Sequence, residues 1–269
     1  MKENFIPFEL ERTMSIWEHQ VEYNLSESGV QPMTVAELLA HDPKLIEDLL
    51  STGLNYPQTN GSIELRDRIA ALYPGATRDN IVVTTGAAQA NFTTVLTLMD
   101  PGDEILVMLP NYMQIWGIAK NYTLDVKTFS LREEHGWAFD PDEMQQTVSD
   151  QTRLIAVCNP NNPTGHIMSL EERQAVIQAA GRVGAWILSD EVYAGAEHST
   201  DVITPTLWGD YDKVIAIGSL SKAYALPGLR TGWVVAPIEM ADEIWARQDY
   251  ITISATVLAN KLAAQALSP

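Results

Sequence analysis

From about residue 80 onward, short apolar, β-rich runs alternate with segments of helical pattern, and few folds accept that alternation. Ile81-Val82-Val83-Thr84-Thr85 reads as a strand, followed by Gly86 and a helix-like run from Ala87 to Met99. Glu104 to Leu109 predicts the next strand and Tyr112 to Lys120 a helix. Further strands are predicted at Asp125 to Phe129, Arg153 to Cys158, Ala185 to Ser189, Val214 to Gly218 and Gly232 to Ala236. Asp140-Pro141 reads as an N-cap with proline at the first helical position. Ser169-Leu170-Glu171-Glu172 is a capping box opening a helix that runs to about Val183. The stretch from Ile238 to Leu267 is helix-like throughout. Repeated strand–helix–strand units imply a three-layer α/β/α fold with a mostly parallel sheet. Several strands are apolar nearly throughout, as strands covered on both faces are. Residues 1–34 do not follow the alternation and read as an N-terminal arm or part of another layer. Residues 35–269 read as one large domain ending in a long helix.

At 46% apolar residues the chain of 269 can bury a substantial core. A formal charge of −18 argues against a nucleic-acid partner or an anionic membrane surface. The single cysteine, Cys158, excludes an intrachain disulfide and fits a reducing compartment. The N-terminus lacks the apolar stretch of a signal peptide, and no segment approaches the roughly 18 apolar residues of a membrane helix. A soluble cytoplasmic protein is expected.

The residues that could carry chemistry lie just after predicted strand ends, where open α/β sheets bind ligands. Lys222 follows the run Val214 to Gly218, with Ser219 and Ser221 before it and Arg230 eight residues after it. Its amine could form a Schiff base with an aldehyde cofactor, while the hydroxyls and the guanidinium hold a phosphate. Read alone, it is equally a solvated lysine after a strand. Thr85-Gly86-Ala87-Ala88 brings small residues to a helix N-terminus, which suits a phosphate and also suits a plain tight turn. Asn159-Pro160-Asn161-Asn162-Pro163-Thr164-Gly165 forces an irregular loop that would present the amide of Asn162 beyond a strand end. Asp190 closes an apolar strand, and a carboxylate buried there needs a cation: a protonated ring nitrogen, or an arginine in a structural pair. Tyr193 could donate its phenol to an oxyanion on the same ring. Tyr112, after Pro110-Asn111, could stack on a planar group or simply pack. The five histidines lack metal-ligand spacing. No Gly-x-Ser-x-Gly elbow or Walker loop is present.

Together these segments resemble the class I/II aminotransferases of the aspartate aminotransferase superfamily, the fold type I enzymes that use pyridoxal 5′-phosphate. The resemblance runs from about Tyr56 to Trp233. It rests on Tyr56 to Gly61, Thr85 to Ala90, Pro110 to Tyr112, Asn159 to Gly165, Asp190 to Tyr193 and Ser219 to Arg230. It implies that Lys222 forms the Schiff base and shuttles the proton, and that Asp190 pairs with the pyridinium nitrogen. By the same resemblance Asn162 and Tyr193 hydrogen-bond the ring oxygen and Tyr112 stacks on the ring. Ser219, Ser221, Arg230 and the backbone at Gly86, Ala87 and Ala88 hold the phosphate. Tyr56 resembles the tyrosine that reaches the neighbouring subunit's phosphate, which implies a homodimer. The expected activity is amino transfer between an amino acid and a 2-oxo acid.

Two features depart from the family pattern. Family members continue for roughly another hundred residues, as a smaller domain that usually carries the arginine for the substrate carboxylate. At the other end, Asn24-Leu25-Ser26-Glu27-Ser28-Gly29-Val30 replaces the usual glycine-rich segment lining the substrate pocket. It resembles the capreomycidine synthase-like branch, whose members eliminate and cyclise. Lyase or cyclase chemistry, or an idle cofactor-binding protein, are the alternatives these departures leave open.

Overall fold

The computed structural model describes residues 5–40, 43–198 and 200–268. In chain order its helices are α1 (Glu9–Trp17), α2 (Val35–Leu39), α3 (Pro43–Leu50), α4 (Ile63–Ala70), α5 (Gly86–Leu98), α6 (Gln114–Asn121), α7 (Pro141–Thr147), α8 (Leu170–Val183), α9 (Ile238–Gln248) and α10 (Val257–Ala266). The strands are β1 (Ile81–Thr84), β2 (Glu104–Leu109), β3 (Asp125–Arg132), β4 (Ala138–Phe139), β5 (Thr152–Cys158), β6 (Trp186–Asp190), β7 (Val214–Ser219) and β8 (Gly232–Val235). They form one eight-stranded sheet in the order β1-β8-β7-β6-β5-β2-β3-β4. From β7 across to β3 every pairing is parallel. β8 runs antiparallel to both β7 and β1, and β4 antiparallel to β3.

Side chains alternate across β2 and so build two separate cores. Ile105 and Val107 join Val95, Ile115 and Ile244 under α5, α6 and α9. Leu106 and Met108 join Met144 and Val176 under α7 and α8. A third cluster packs Leu65 and Ile69 of α4 and Ala263 of α10 against Val83 and Val235. Each fully buried aliphatic side chain contributes about 1.5–3 kcal/mol. The result is the three-layer α/β/α arrangement that the alternation predicts. Local signals set the helix starts: Asp140 accepts from the amides of Asp142 and Glu143, and the Ser169–Glu172 capping box is formed. Tyr56 to Gly61 leads, through the N-cap Ser62, into α4.

The C-terminal stretch departs from expectation. Ile238 to Leu267 is two helices, because the chain leaves α9 after Gln248. The buried amide of Gln248 donates to the carbonyls of Thr59 (2.7 Å) and Val83 (3.0 Å). Its own carbonyl accepts from Ile251, Thr252 and Ile253, and Ile253 takes the left-handed region at φ 65°. Thr256 then caps α10 by accepting from the amide of Ala259 at 3.1 Å. These tertiary bonds override a local pattern that favours continuous helix. The helix starting near Tyr112 begins two residues later, after Met113 at φ 65°. Among the described residues no helix is long and apolar enough to cross a membrane.

The N-terminal arm packs differently. α1 has no buried residue. The amide and carbonyl of Ile6 pair with the side chain of Asn121, and the amide of Met33 donates to the carbonyl of Ala225 at 2.8 Å.

Candidate active site

A cavity of about 880 Å³ opens at the C-terminal ends of the parallel strands. Ten of the twelve residues singled out in the sequence line it. β6 delivers Asp190, β7 delivers Ser219, Ser221 and Lys222, and the first turn of α5 delivers Ala87 and Ala88 beside Gly86. Tyr112, Asn162, Tyr193 and Arg230 complete the wall. Tyr56 does not line the cavity and is 78% exposed.

Asp190 is 7% exposed. Its Oδ2 accepts from Asn91 Nδ2 at 3.0 Å and its Oδ1 from the amide of Val192 at 3.2 Å. Among the described residues it forms no ion pair with a lysine, arginine or histidine, so the structural arginine pair allowed by the sequence is not made. Burial raises its pKa against the lowering effect of those two bonds. A cationic group entering the cavity would relieve that cost. Among the described residues Asn91 Oδ1 has no hydrogen-bond partner and is buried.

The phosphate-type end is equally specific. Thr85 makes no side-chain cap on α5, which leaves the first-turn amides to an anion. Gly86 sits at φ 77°, and a Cβ there would collide with the guanidinium of Arg230. A Cβ at Gly232 would strike the backbone of Gly86 and Ala87. Glycine at both positions lets the arginine and the start of β8 close onto the helix N-terminus. Ser219 Oγ and Ser221 Oγ lie 2.9 Å apart. Hydroxyls, a guanidinium and free amides make a donor set suited to a phosphate dianion.

The Asn-Pro loop divides its two central asparagines between tasks. Asn161 is buried and ties the loop together, donating to the carbonyl of Pro110 (3.1 Å) and accepting from the amide and hydroxyl of Thr164. Asn162 faces the cavity, and the bonds Asn159–Pro160 and Asn162–Pro163 are cis. Outside the cavity, His166 Nε2 pairs with the buried Glu172 at 2.9 Å and pins the loop to α8. Tyr112 packs edge-on to Phe8 at 5.2 Å and donates to Glu11. Burial, that bond and the charge of Glu11 push its pKa up.

Lys222 Nζ donates to Ser28 Oγ at 3.0 Å and stands 5.5 Å from the ring centre of Tyr193. Asn91, Glu11 and Ser28 are among the lining residues to which the sequence reading gave no role. Asn91 had a usable signal: it lies four and three residues past Ala87 and Ala88, on the same helix face.

A family model for aminotransferase class I and II matches residues 24–269. The chain belongs to that family. Capreomycidine synthase from Streptomyces vinaceus is 32% identical over 252 residues, covering 92% of this chain and 64% of that protein. An aspartate aminotransferase from Musicola paradisiaca is 32% identical over 176 residues, covering 64% of this chain and 43% of the relative. These matches span about half to two thirds of the length of each relative. Among solved structures, a PLP-dependent aminotransferase from Streptococcus suis superposes with a TM-score of 0.92 at 34% identity, over 99% of this chain and 71% of that one. A PLP-dependent cyclase, OrfR, superposes with a TM-score of 0.86 at 26% identity.

Proposed function

We propose that this chain binds pyridoxal 5′-phosphate and moves an amino group between an amino acid and a 2-oxo acid. The observation that carries the reading is the convergence on one cavity of Lys222, a buried Asp190 with no cationic partner among the described residues, and a donor cluster suited to phosphate. When bound, the cofactor supplies an electron sink for the carbanion left at an amino acid's α-carbon.

The chain's own residues do the rest. Lys222 would offer Nζ to the cofactor's aldehyde, and the same amine would hold and move a proton at the α-carbon. Asp190 would pair with the ring nitrogen and favour its protonated form, which the burial of its carboxylate suits. Asn162 and Tyr193 would donate to the ring's oxygen, and Tyr112 would cover the ring. Ser219, Ser221, Arg230 and the amides at Gly86, Ala87 and Ala88 hold the phosphate. Tyr56, exposed and outside the cavity, serves the phosphate of a second copy in a homodimer. The exposed apolar residues Leu50, Leu54 and Tyr250 suit such a pairing. The buried, unpaired Cys158 fits the cytoplasm.

A second reading keeps the cofactor and changes the outcome to elimination or cyclisation. The similarity to capreomycidine synthase over 92% of this chain favours it. The test is to load the protein with pyridoxal 5′-phosphate, reduce with borohydride, and map the label, which should sit on Lys222. An amino-acid screen of the loaded protein should then convert the cofactor to its amine form and release a 2-oxo acid. A cyclic product or ammonia without the amine form supports the second reading, and a label away from Lys222 removes both.

A further inference from the structure

The segment Asn24 to Val30 departs from the family pattern, and the structure brings its centre onto the lysine. Ser28 Oγ accepts from Lys222 Nζ at 3.0 Å and from Tyr193 Oη at 2.9 Å. One hydroxyl oxygen has two lone pairs, so both donors are served at once. Glu27 Oε1 accepts from the amide of Gly29 at 2.7 Å, which folds the backbone around Ser28, and lies 3.7 Å from Lys222 Nζ. Five residues on, the amide of Met33 bonds the carbonyl of Ala225, in the loop that carries Lys222. The arm is therefore fastened to the lysine's own loop at two points, one through its backbone and one through the serine.

We propose that Ser28 is a positioning residue of this site, holding the amine of Lys222 and, in the cofactor-free chain, the phenol of Tyr193 through a single hydroxyl. The inference rests on the reading of Lys222 as the cofactor-binding base. Removing the hydroxyl frees two donors and leaves the arm its backbone anchor at Met33. The effect should fall on the reactivity of Lys222 rather than on the fold. Loss of one net hydrogen bond corresponds to about a three- to tenfold change in rate.

The test uses native chain, Ser28→Ala and Ser28→Thr. In the cofactor-free protein, the rate at which trinitrobenzenesulfonate labels Lys222 is followed by peptide mass spectrometry. Ser28→Ala should label about three- to tenfold faster, and Ser28→Thr, which keeps the hydroxyl, should return to the native rate. In the loaded protein, Ser28→Ala should lower the rate of cofactor conversion by a similar factor at saturating amino acid. Cofactor affinity should be unchanged. Equal labelling of native chain and Ser28→Ala overturns the proposal, as does a Ser28→Thr chain that behaves like Ser28→Ala. Failure of the native chain to take up the cofactor would instead remove the reading of Lys222, and the labelling result would still decide whether Ser28 holds its amine.

Discussion

β7 is buried at all six residues and β6 at four of five where they deliver Ser219 and Asp190, whereas α1, which brings Glu11 to the same cavity, buries none. The floor of the site is thus an extension of the core. Its side chains are placed by strand register and by cores on both faces of the sheet, and moving one means disturbing the sheet. The roof is placed by the ring contact of Phe8 with Tyr112 and a handful of polar bonds: Tyr112 to Glu11, Ser28 to Lys222 and Tyr193, Met33 to Ala225, Ile6 to Asn121. Such bonds are worth about 1 kcal/mol each. Chemistry that requires fixed geometry belongs on the floor, and adjustment to a substrate belongs on the roof.

Substitutions on the two regions should differ accordingly. Lys222→Ala removes the amine and the base together. Conversion of the bound cofactor by amino acids should fall by about 10⁴-fold or more, read by absorbance under single-turnover conditions. Asp190→Asn keeps the shape and removes the charge that the proposed function sets against the cofactor ring, so the same rate should fall about 10²- to 10³-fold. The cofactor-free variant should be at least as stable as the native chain, since a buried ionisable group has been neutralised. A destabilised variant with normal turnover would place Asp190 among the structural residues.

Glu191, the neighbour of Asp190, sharpens the contrast through pH. It is 6% exposed, and burial, opposed by bonds from Leu207, Thr206 and Ser189, raises its pKa from 4.5 to about 7. A raised carboxyl pKa means the folded chain binds more protons than the unfolded chain. Stability is therefore lost as pH rises through that window and is fully present below it. Between pH 4.5 and about 7, native stability should drop relative to Glu191→Gln by up to about 3 kcal/mol, measured by denaturant unfolding across pH. A flat difference would mean that the carboxyl ionises without cost.

Gly86→Ala should act more locally. The new methyl group displaces the end of Arg230, and φ 77° strains an L-residue by about 1–2 kcal/mol. Cofactor affinity should weaken about tenfold in an equilibrium titration, with the fold intact. On the roof, Leu25 is 95% exposed, and Leu25→Ala should change stability by less than about 0.5 kcal/mol. A larger loss would show that the arm is held by more than its polar bonds.

The same division governs what could be read from the sequence. Seven of the eight strands, all but the two-residue β4, and the helix starts at Pro141 and Leu170 were legible because period and capping are local signals. Asn162 faces the cavity as its loop led one to expect, whereas the structural task of Asn161 had no signal in the sequence. Ser28 was not legible as a partner of Lys222, because 194 residues separate them and nothing in Asn24 to Val30 encodes that distance. Glu11 escaped for the same reason. The break between α9 and α10 was hidden because Gln248 ends the helix through carbonyls of Thr59 and Val83, which lie far away in the chain.

β8 runs against its neighbours, and this single reversal has a mechanical outcome. A parallel successor to β7 would need a crossover helix before returning to the same edge of the sheet. Because the chain instead turns straight back, Lys222 and Arg230 share one short connection, and Gly232 is set directly against the first turn of α5. The group that would grip an aldehyde and the group that would grip a phosphate are thereby spaced by one hairpin, so a residue inserted between them would detune both ends of the ligand together.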